Sequence, residues 1–548
     1  MKIVVKGIAG SGKTTLCREI LLKKLEEGYS LEDTFYTSFT RSAIASARQK
    51  LIEAGFEDQE VRDNVRTMHS FCFRLLGLGR DELMRRKDYE DFFDWLFHKF
   101  GIRIEFDPRL VRERLEGEEL ISKEELEEEP DGNKLLAIYD LLRNKYLVDV
   151  DELTEHKFLN LDEVREINFS NPMLDKRTAF SVLKHLKVFK RDLGKFDFAD
   201  LLFQVWKQKI KPEKKVYFFD EFQDFTRLQY EIYKLWTEDA EFIVVLGDEL
   251  QCQYVFMGGS PEFLIKEFET ADKQIVLSKS WRIPQNIIDY VWEFLSFNRA
   301  RMITVSKPIG VDFEGEIIRF DYSTINDLVE YIKHLKDETI ILTRTNWIKR
   351  RIKQRLVEEG FVFLEYGKGK RYWTPLLVTL FNALLRFKKF QQMTKEELYQ
   401  FITHCYVGNH LHRGVQSKVK RGEIKLDKDL YGKMDLIRFF EPRVFGYTFE
   451  QLVDMLKVEG KEILKERYSR NPEFIEKPKL YISTIHSFKG LEMDNVIYVT
   501  NLTHKILSRF NKQEEIINSY VAMTRPKKRL ILMSLVEFKP NILIFPRR

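Results

Sequence analysis

Two short stretches hold the residues whose types and spacing could do chemistry. The first is GIAGSGKTT, in which Gly7, Gly10, Gly12, Lys13 and Thr14 fill the pattern G-x-x-x-x-G-K-T. Glycines at these intervals let successive backbone N–H groups converge on an anion, and a helix starting there adds its dipole. Gly10, Ser11, Gly12, Lys13, Thr14 and Thr15 are therefore the candidate phosphate cradle. Lys13 is expected to reach the outer phosphates of a nucleotide, and the Thr14 hydroxyl to complete the oxygen shell of Mg²⁺. The second stretch is KVYFFDEFQDF, where an apolar run, Val216 to Phe219, delivers Asp220 and Glu221. Asp220 fits the metal shell beside Thr14, and Glu221 fits a base that orients and deprotonates an attacking water. Alone, each stretch could be a turn that binds nothing; together they point to hydrolysis of a nucleoside triphosphate.

The elements that must position these groups are legible around them. Ile3-Val4-Val5 leads into the glycine loop and LCREILLKKLEEG follows it, so the order is strand, loop, helix. Short apolar strands alternate with amphipathic helices over residues 1–76, 195–276, 277–370 and 478–548, the pattern of α/β layers with parallel sheets. Residues 77–194 and 371–477 are helical in period, strongly charged and poor in strand signals, and are expected as helical insertions. The acidic run Glu116 to Glu129 reads as a solvated helix face. With 548 residues several cores are required.

Bulk composition narrows the class without choosing it. The formal charge is only +5, from 91 basic and 86 acidic residues, so local charge must decide any polyanionic partner. Cys17, Cys72, Cys252 and Cys405 are scattered without a C-x-x-C pair, against a zinc module, an iron–sulfur cluster or a disulfide framework. No targeting segment is expected before the glycine loop and no apolar stretch is long enough to span a bilayer, so a soluble cytoplasmic protein is the reading.

The string DEFQD resembles the metal-and-water motif of superfamily 1A DNA helicases of the UvrD/Rep/PcrA group, and further strings match that family in order. FTRSAIASARQKL, TMHSFCFRLL, FDFADLL, VVLGDELQCQYVFMGG, SKSWRIPQNI, YISTIHSFKGLEMDNVIYV and EEIINSYVAMTRPKKRL each resemble one of its motifs. The resemblance implies two RecA-like P-loop motor domains, each with a helical insertion, ATP and Mg²⁺ as ligands, and single-stranded or tailed duplex DNA as the track. It implies catalytic roles for Lys13, Asp220, Glu221, Gln251 and two arginine fingers, Arg282 and Arg525. Trp281 would stack on adenine and Glu492 would hold the ribose. The DNA positions it implies are Phe39, Thr40, Arg41, Thr67, His69, Tyr254, Phe256, Thr484, His486 and Lys489. The activity implied is a 3′-to-5′ helicase and translocase.

The chain also departs from the family pattern. Lys2 leaves no room for an upstream glutamine stretch that reads adenine, Thr15 and Met257 stand where arginines are usual, and Ile516, Ile517 and Asn518 replace a cationic stretch. The second insertion is shorter than usual, and little chain follows Arg525 to build a strand-separating hairpin. Two other readings therefore stay open: a nucleic-acid-gated ATPase subunit that works with a nuclease or replication partner, and a plain P-loop kinase or regulator. The basic clusters Arg344 to Arg355, Lys368 to Arg371 and Lys418 to Lys425 read as track extensions or as solvated faces.

Overall fold

The protein is described by a computed structural model covering the chain apart from residues 39–40, 109–125, 128, 301–306, 367–372, 407, 409, 477, 509 and 547–548. At residues 41–43 and 46 only the backbone is described. Most of the Glu116 to Glu129 run and all of the Lys368 to Arg371 cluster lie outside the described residues. The chain divides into two compact units: Met1–Gly315 with Ser508–Thr524 and a stretch beginning at Leu543, and Glu316–Leu507 with Arg525–Ile542.

Five parallel strands form the sheet of the first unit: β1 (Lys2–Gly7), β2 (Thr34–Ser38), β3 (Val216–Asp220), β4 (Phe242–Gly247) and β5 (Lys273–Leu277), in the order β2-β3-β4-β1-β5. Its central strands are near-continuous apolar runs because both faces are covered. Alternate residues feed two different cores. Val4, Phe35, Phe219 and Val245 pack on one side, and Val5, Tyr36, Phe218 and Val244 on the other. Parallel strands align their carboxyl ends along one edge, so Gly7, Asp220 and Gly247 finish together there.

Between β2 and β3 the described part of residues 77–194 is helical, with its own core of Phe92, Leu135, Leu142, Phe158, Leu183 and neighbours. A buried charge cluster ties this layer down. Arg143 on the Asp131–Asn144 helix meets Asp200 on the Phe198–Lys207 helix at 2.9 Å, and Lys190 on the Lys176–Leu193 helix pairs with both Asp197 and Asp200.

The compact units are not bounded at the 276/277 joint drawn from the sequence. After β5 the chain forms β6 (Lys279–Pro284), parallel to β7 (Ile309–Val311), and this pair belongs to the first unit. Backbone bonding explains the placement, since Trp281 N–H donates to Gly10 O at 2.9 Å and holds β6 on the glycine loop.

The second unit has a six-stranded parallel sheet of β8 (Glu316–Ser323), β9 (Thr339–Thr343), β10 (Phe363–Glu365), β13 (Leu480–Thr484), β14 (Met493–Val499) and β15 (Pro526–Leu535). Its order is β10-β13-β9-β14-β15-β8. Between β10 and β13 the described residues are mainly helical, with one small antiparallel pair, β11 (Met393–Thr394) and β12 (Leu430–Tyr431). The two sheets make this an α/β protein with parallel sheets. Among the described residues no helix is long and apolar enough to cross a membrane.

Candidate functional site

The phosphate loop has the backbone its glycines permit. Gly10 and Gly12 adopt φ of 72° and 84°, which L side chains rarely adopt, and Gly12 opens the Lys13–Glu26 helix. Space is short as well. A Cβ on Gly10 would meet Ser280 Oγ at 2.8 Å and Arg282 Cβ at 3.0 Å. Lys13 is buried and its ammonium donates to Gly7 O at 2.7 Å and Ile8 O at 3.2 Å, curled over the loop. Ser11 Oγ is buried with no hydrogen-bond partner, a polar atom the loop does not itself satisfy, whereas Thr15 is exposed.

The two carboxylates sit beside the loop as the strand ends require. Asp220 accepts from Thr14 Oγ1 at 3.2 Å, from the Tyr36 hydroxyl at 3.4 Å and from the Glu221 N–H at 2.9 Å. Burial, with Glu221 next to it, pushes its carboxyl up to about 6. The donor set is one hydroxyl and one carboxylate, which suits Mg²⁺, a hard cation that takes its remaining oxygens from water and substrate phosphates. Thr14 and Asp220 therefore fit as its protein ligands. Among the described residues no group of three or more His, Cys, Asp or Glu offers a different metal cage.

Glu221 occupies the left-handed region, φ 54° and ψ 39°, where non-glycine residues are strained. Its carboxylate accepts from Gln223 Nε2 at 2.6 Å. Gln251 sits in a short turn after β4, and its Nε2 donates to Asp248 Oδ2 at 2.7 Å. Trp281 is 67 % exposed beside the loop, 3.7 Å from where a Gly12 Cβ would lie, and Arg282 donates to Thr524 O at 3.0 Å. Thus Gly10, Ser11, Gly12, Lys13, Thr14, Asp220, Glu221, Gln251, Trp281 and Arg282 share the first unit and gather along its carboxyl edge.

The remaining predicted residues are distributed as follows. Arg525 belongs to the second unit, buried, its guanidinium 3.4 Å from Leu491 O, and Glu492 pairs with Lys527 at 2.7 Å. Thr484 and His486, in the same unit, are buried, and Thr484 Oγ1 donates to Ser487 Oγ at 3.0 Å; Lys489 is half-buried. In the first unit Thr67 caps the Met68–Leu75 helix, and His69 lies 5.9 Å from Phe198. Tyr254 is only 5 % exposed, and Phe256 packs against the core of the helical layer. Phe39 and Thr40 lie outside the described residues, and of Arg41 only the backbone is described.

Three groups around the site escaped the sequence reading. Gln223, Asp248 and Tyr520 are buried and join the candidate residues by hydrogen bonds. Gln223 lies inside the quoted DEFQD string, but nothing in the sequence says that its amide faces Glu221.

A glycine loop at a strand end, with a threonine, and a buried aspartate and neighbouring glutamate on the same carboxyl edge two strands away, defines a P-loop nucleotide-hydrolysing α/β protein. The comparisons make this particular. Residues 1–272 match the family model of the UvrD/REP helicase N-terminal domain, and residues 449–537 that of the UvrD-like helicase C-terminal domain. A probable DNA helicase II homolog of Mycoplasma pneumoniae is 24 % identical, covering 100 % of this chain and 84 % of its own length. A putative ATP-dependent DNA helicase of Bacillus subtilis is 21 % identical over 97 % of the chain and 76 % of its own length. The ATP-dependent DNA helicase PcrA of the same organism is 24 % identical over 66 % of the chain and 48 % of its own length. The chain belongs to the UvrD-like superfamily 1 DNA helicases.

Proposed function

We propose that the protein is an ATP-dependent 3′-to-5′ DNA helicase and single-stranded DNA translocase. The two parallel sheets are the cores of RecA-like motor domains, and residues 77–194 and 371–477 their insertions. One observation carries the reading. Lys13, Thr14, Asp220, Glu221 and Gln251 converge on one sheet edge beside an arginine, Arg282, as hydrolysis of a terminal phosphate requires.

In this mechanism Glu221 holds the attacking water and takes its proton as the new bond to the γ-phosphorus forms and the bond to the β–γ bridging oxygen breaks. Lys13 and the loop amides face the phosphates, and Arg282 and Arg525 neutralise charge that grows on the transferring group. Mg²⁺, held by Thr14 and Asp220 when bound, supplies charge neutralisation at the phosphate oxygens. Gln251 reports the state of the terminal phosphate to the strand-binding surface. Thr67, His69, Phe256, Thr484, His486 and Lys489, with Phe39, Thr40 and Arg41, supply hydroxyls, cations and rings for single-stranded DNA, each stacked base contributing roughly 1–3 kcal/mol. Thr484, His486 and Tyr254 are buried in this structure, so their part in strand binding requires that they be uncovered.

The test is ATPase rate with and without single-stranded DNA, beside strand displacement on duplexes with a 3′ or a 5′ tail. Strong stimulation with displacement only from the 3′ tail is expected. Stimulation without displacement would turn the reading to a gated ATPase subunit that needs a protein partner, and a rate indifferent to DNA would remove the motor.

A further inference from the structure

Behind Glu221 and Gln251 lies a hydrogen-bonded chain whose members are all desolvated. Gln223 is fully buried; its Nε2 donates to Glu221 Oε2 at 2.6 Å and Asp224 Oδ2 at 3.3 Å, while its Oε1 accepts the Asp248 N–H at 3.0 Å. Two carboxylates on one side and an N–H on the other leave the amide a single orientation. Gly247 leaves it room, since a Cβ there would lie 2.7 Å from Gln223 Oε1.

Asp248 is the hub. Its Oδ1 accepts the Leu250 N–H at 3.1 Å, closing the turn that carries Gln251, and its Oδ2 accepts both Gln251 Nε2 at 2.7 Å and the Tyr520 hydroxyl at 3.1 Å. A carboxylate accepts only, so Gln251 must turn its nitrogen to Asp248 and its carbonyl oxygen away, and Tyr520 must spend its one proton on the same oxygen. Tyr520 lies on the Lys512–Met523 helix, and the carbonyl just beyond that helix, Thr524 O, receives Arg282. The helix and the residue that follows it thus meet Asp248 and Arg282 by polar contacts. A second buried tie, Gln253 Nε2 to Asn518 Oδ1 at 2.9 Å, fastens the same helix to the same loop.

We propose that Tyr520 is a positioning residue for ATP hydrolysis: its hydroxyl fixes Asp248, and Asp248 fixes Gln251 by its side chain and Gln223, hence Glu221, by its backbone. A shift of the Lys512–Met523 helix then changes the aim of the base and of the phosphate-facing glutamine together. The inference rests on Glu221 and Gln251 being the hydrolytic pair. It assigns Tyr520 a role through other residues and no contact with nucleotide or DNA.

The experiment is steady-state ATPase of the full chain with saturating single-stranded DNA for Tyr520→Phe, Asp248→Asn, the double variant and Asn518→Ala. Tyr520→Phe keeps the ring and removes one buried hydroxyl, so folding is preserved, checked by unchanged nucleotide-free binding of a labelled oligothymidine. The expected result is a fall of about ten-fold in kcat with KM for ATP within about two-fold, the signature of misaligned groups and intact nucleotide binding. The double variant should be no worse than Asp248→Asn alone, because the two act in one chain. Asn518→Ala should stay within about two-fold of the parent, because it leaves the Tyr520–Asp248 hydrogen bond in place. An unchanged kcat in Tyr520→Phe, multiplying losses in the double variant, or an equal loss in Asn518→Ala would each overturn the proposal. Glu221→Gln runs beside them: if it turns over normally, the hydrolytic reading itself fails, independently of Tyr520.

Discussion

The ammonium of Lys6 and the carboxylate of Glu249 lie 2.6 Å apart with both side chains buried, linking the strand that feeds the phosphate loop to the turn that carries Gln251. A buried ion pair is costly to split, because removing one partner strands the other charge away from water. Burial, then the neighbouring Asp248, already pushes the Glu249 carboxyl up, and Lys6 opposes them. Lys6→Met should therefore destabilise the protein by about 3 kcal/mol in urea denaturation, and Lys6→Met with Glu249→Gln should recover most of the loss. Equal losses in the single and double variants would show that packing of the Lys6 stem, and not the charge, matters there.

Asp220 gives a pH dependence whose sign follows from its surroundings. Its carboxyl is held at about 6 by burial and by Glu221. An acid whose folded pKa exceeds its unfolded value of about 4 binds more proton when folded, so stability falls as pH rises from about 4 to about 6, and the deficit persists above. Asp220→Asn should melt higher than the parent at about pH 7.5, in protein free of nucleotide and metal, by ~2 kcal/mol, with the gap closing towards pH 4. No gap at about pH 7.5 would mean the carboxylate is relieved by its hydrogen bonds in the free protein, and a gap independent of pH would mean the gain comes from packing of the amide and not from the charge.

Arg143 is 1 % exposed and serves several partners: Asp200 at 2.9 Å, Asp149 at 3.5 Å and the Tyr139 ring at 3.7 Å. Burial alone would push the Asp200 carboxyl up, but Lys190 and Arg143 outweigh it and hold it at about 2. Arg143→Met should cost about 3 kcal/mol and release the helical layer to proteolysis before the β-sheets, because it leaves Asp149 and Asp200 buried with fewer cations. Uniform proteolysis of the whole chain would place the cluster outside any local unit.

The sequence made the first sheet edge legible for a physical reason. Loop glycines and strand-end carboxylates are local features, written in adjacent residues, and the chemistry of the two stretches paired Thr14 with Asp220, which the structure brings within 3.2 Å. What stayed hidden is what depends on residues far apart in the chain. The ties from Tyr520 to Asp248 and from Asn518 to Gln253 join positions more than 260 residues apart. The burial of Tyr254 and the packing of β6 on the glycine loop are likewise tertiary outcomes. Alternation of residue types forecast the two parallel sheets, but it could not say that residues 277–315 pack with the first unit.

Glu221 carries a conformational strain that can be separated from its chemistry. Its φ of 54° places a Cβ against the following backbone, a conformation that costs an L residue about 1 kcal/mol or more and a glycine almost nothing. Its φ also lies between Asp220, held by Thr14, and Gln223, held by Asp248, so the surrounding bonds impose it. Glu221→Gly should therefore raise the midpoint of urea denaturation by an amount equivalent to about 1 kcal/mol while abolishing turnover, partly offset by the loss of the Gln223 hydrogen bond. Glu221→Gln keeps the strain and an oxygen for Gln223 and removes the charge that repels Asp220, so near neutral pH it should be at least as stable as the parent yet still fail to hydrolyse ATP. If Glu221→Gly proves less stable than Glu221→Gln, the left-handed backbone is relaxed in solution and the strain is not a property of the base.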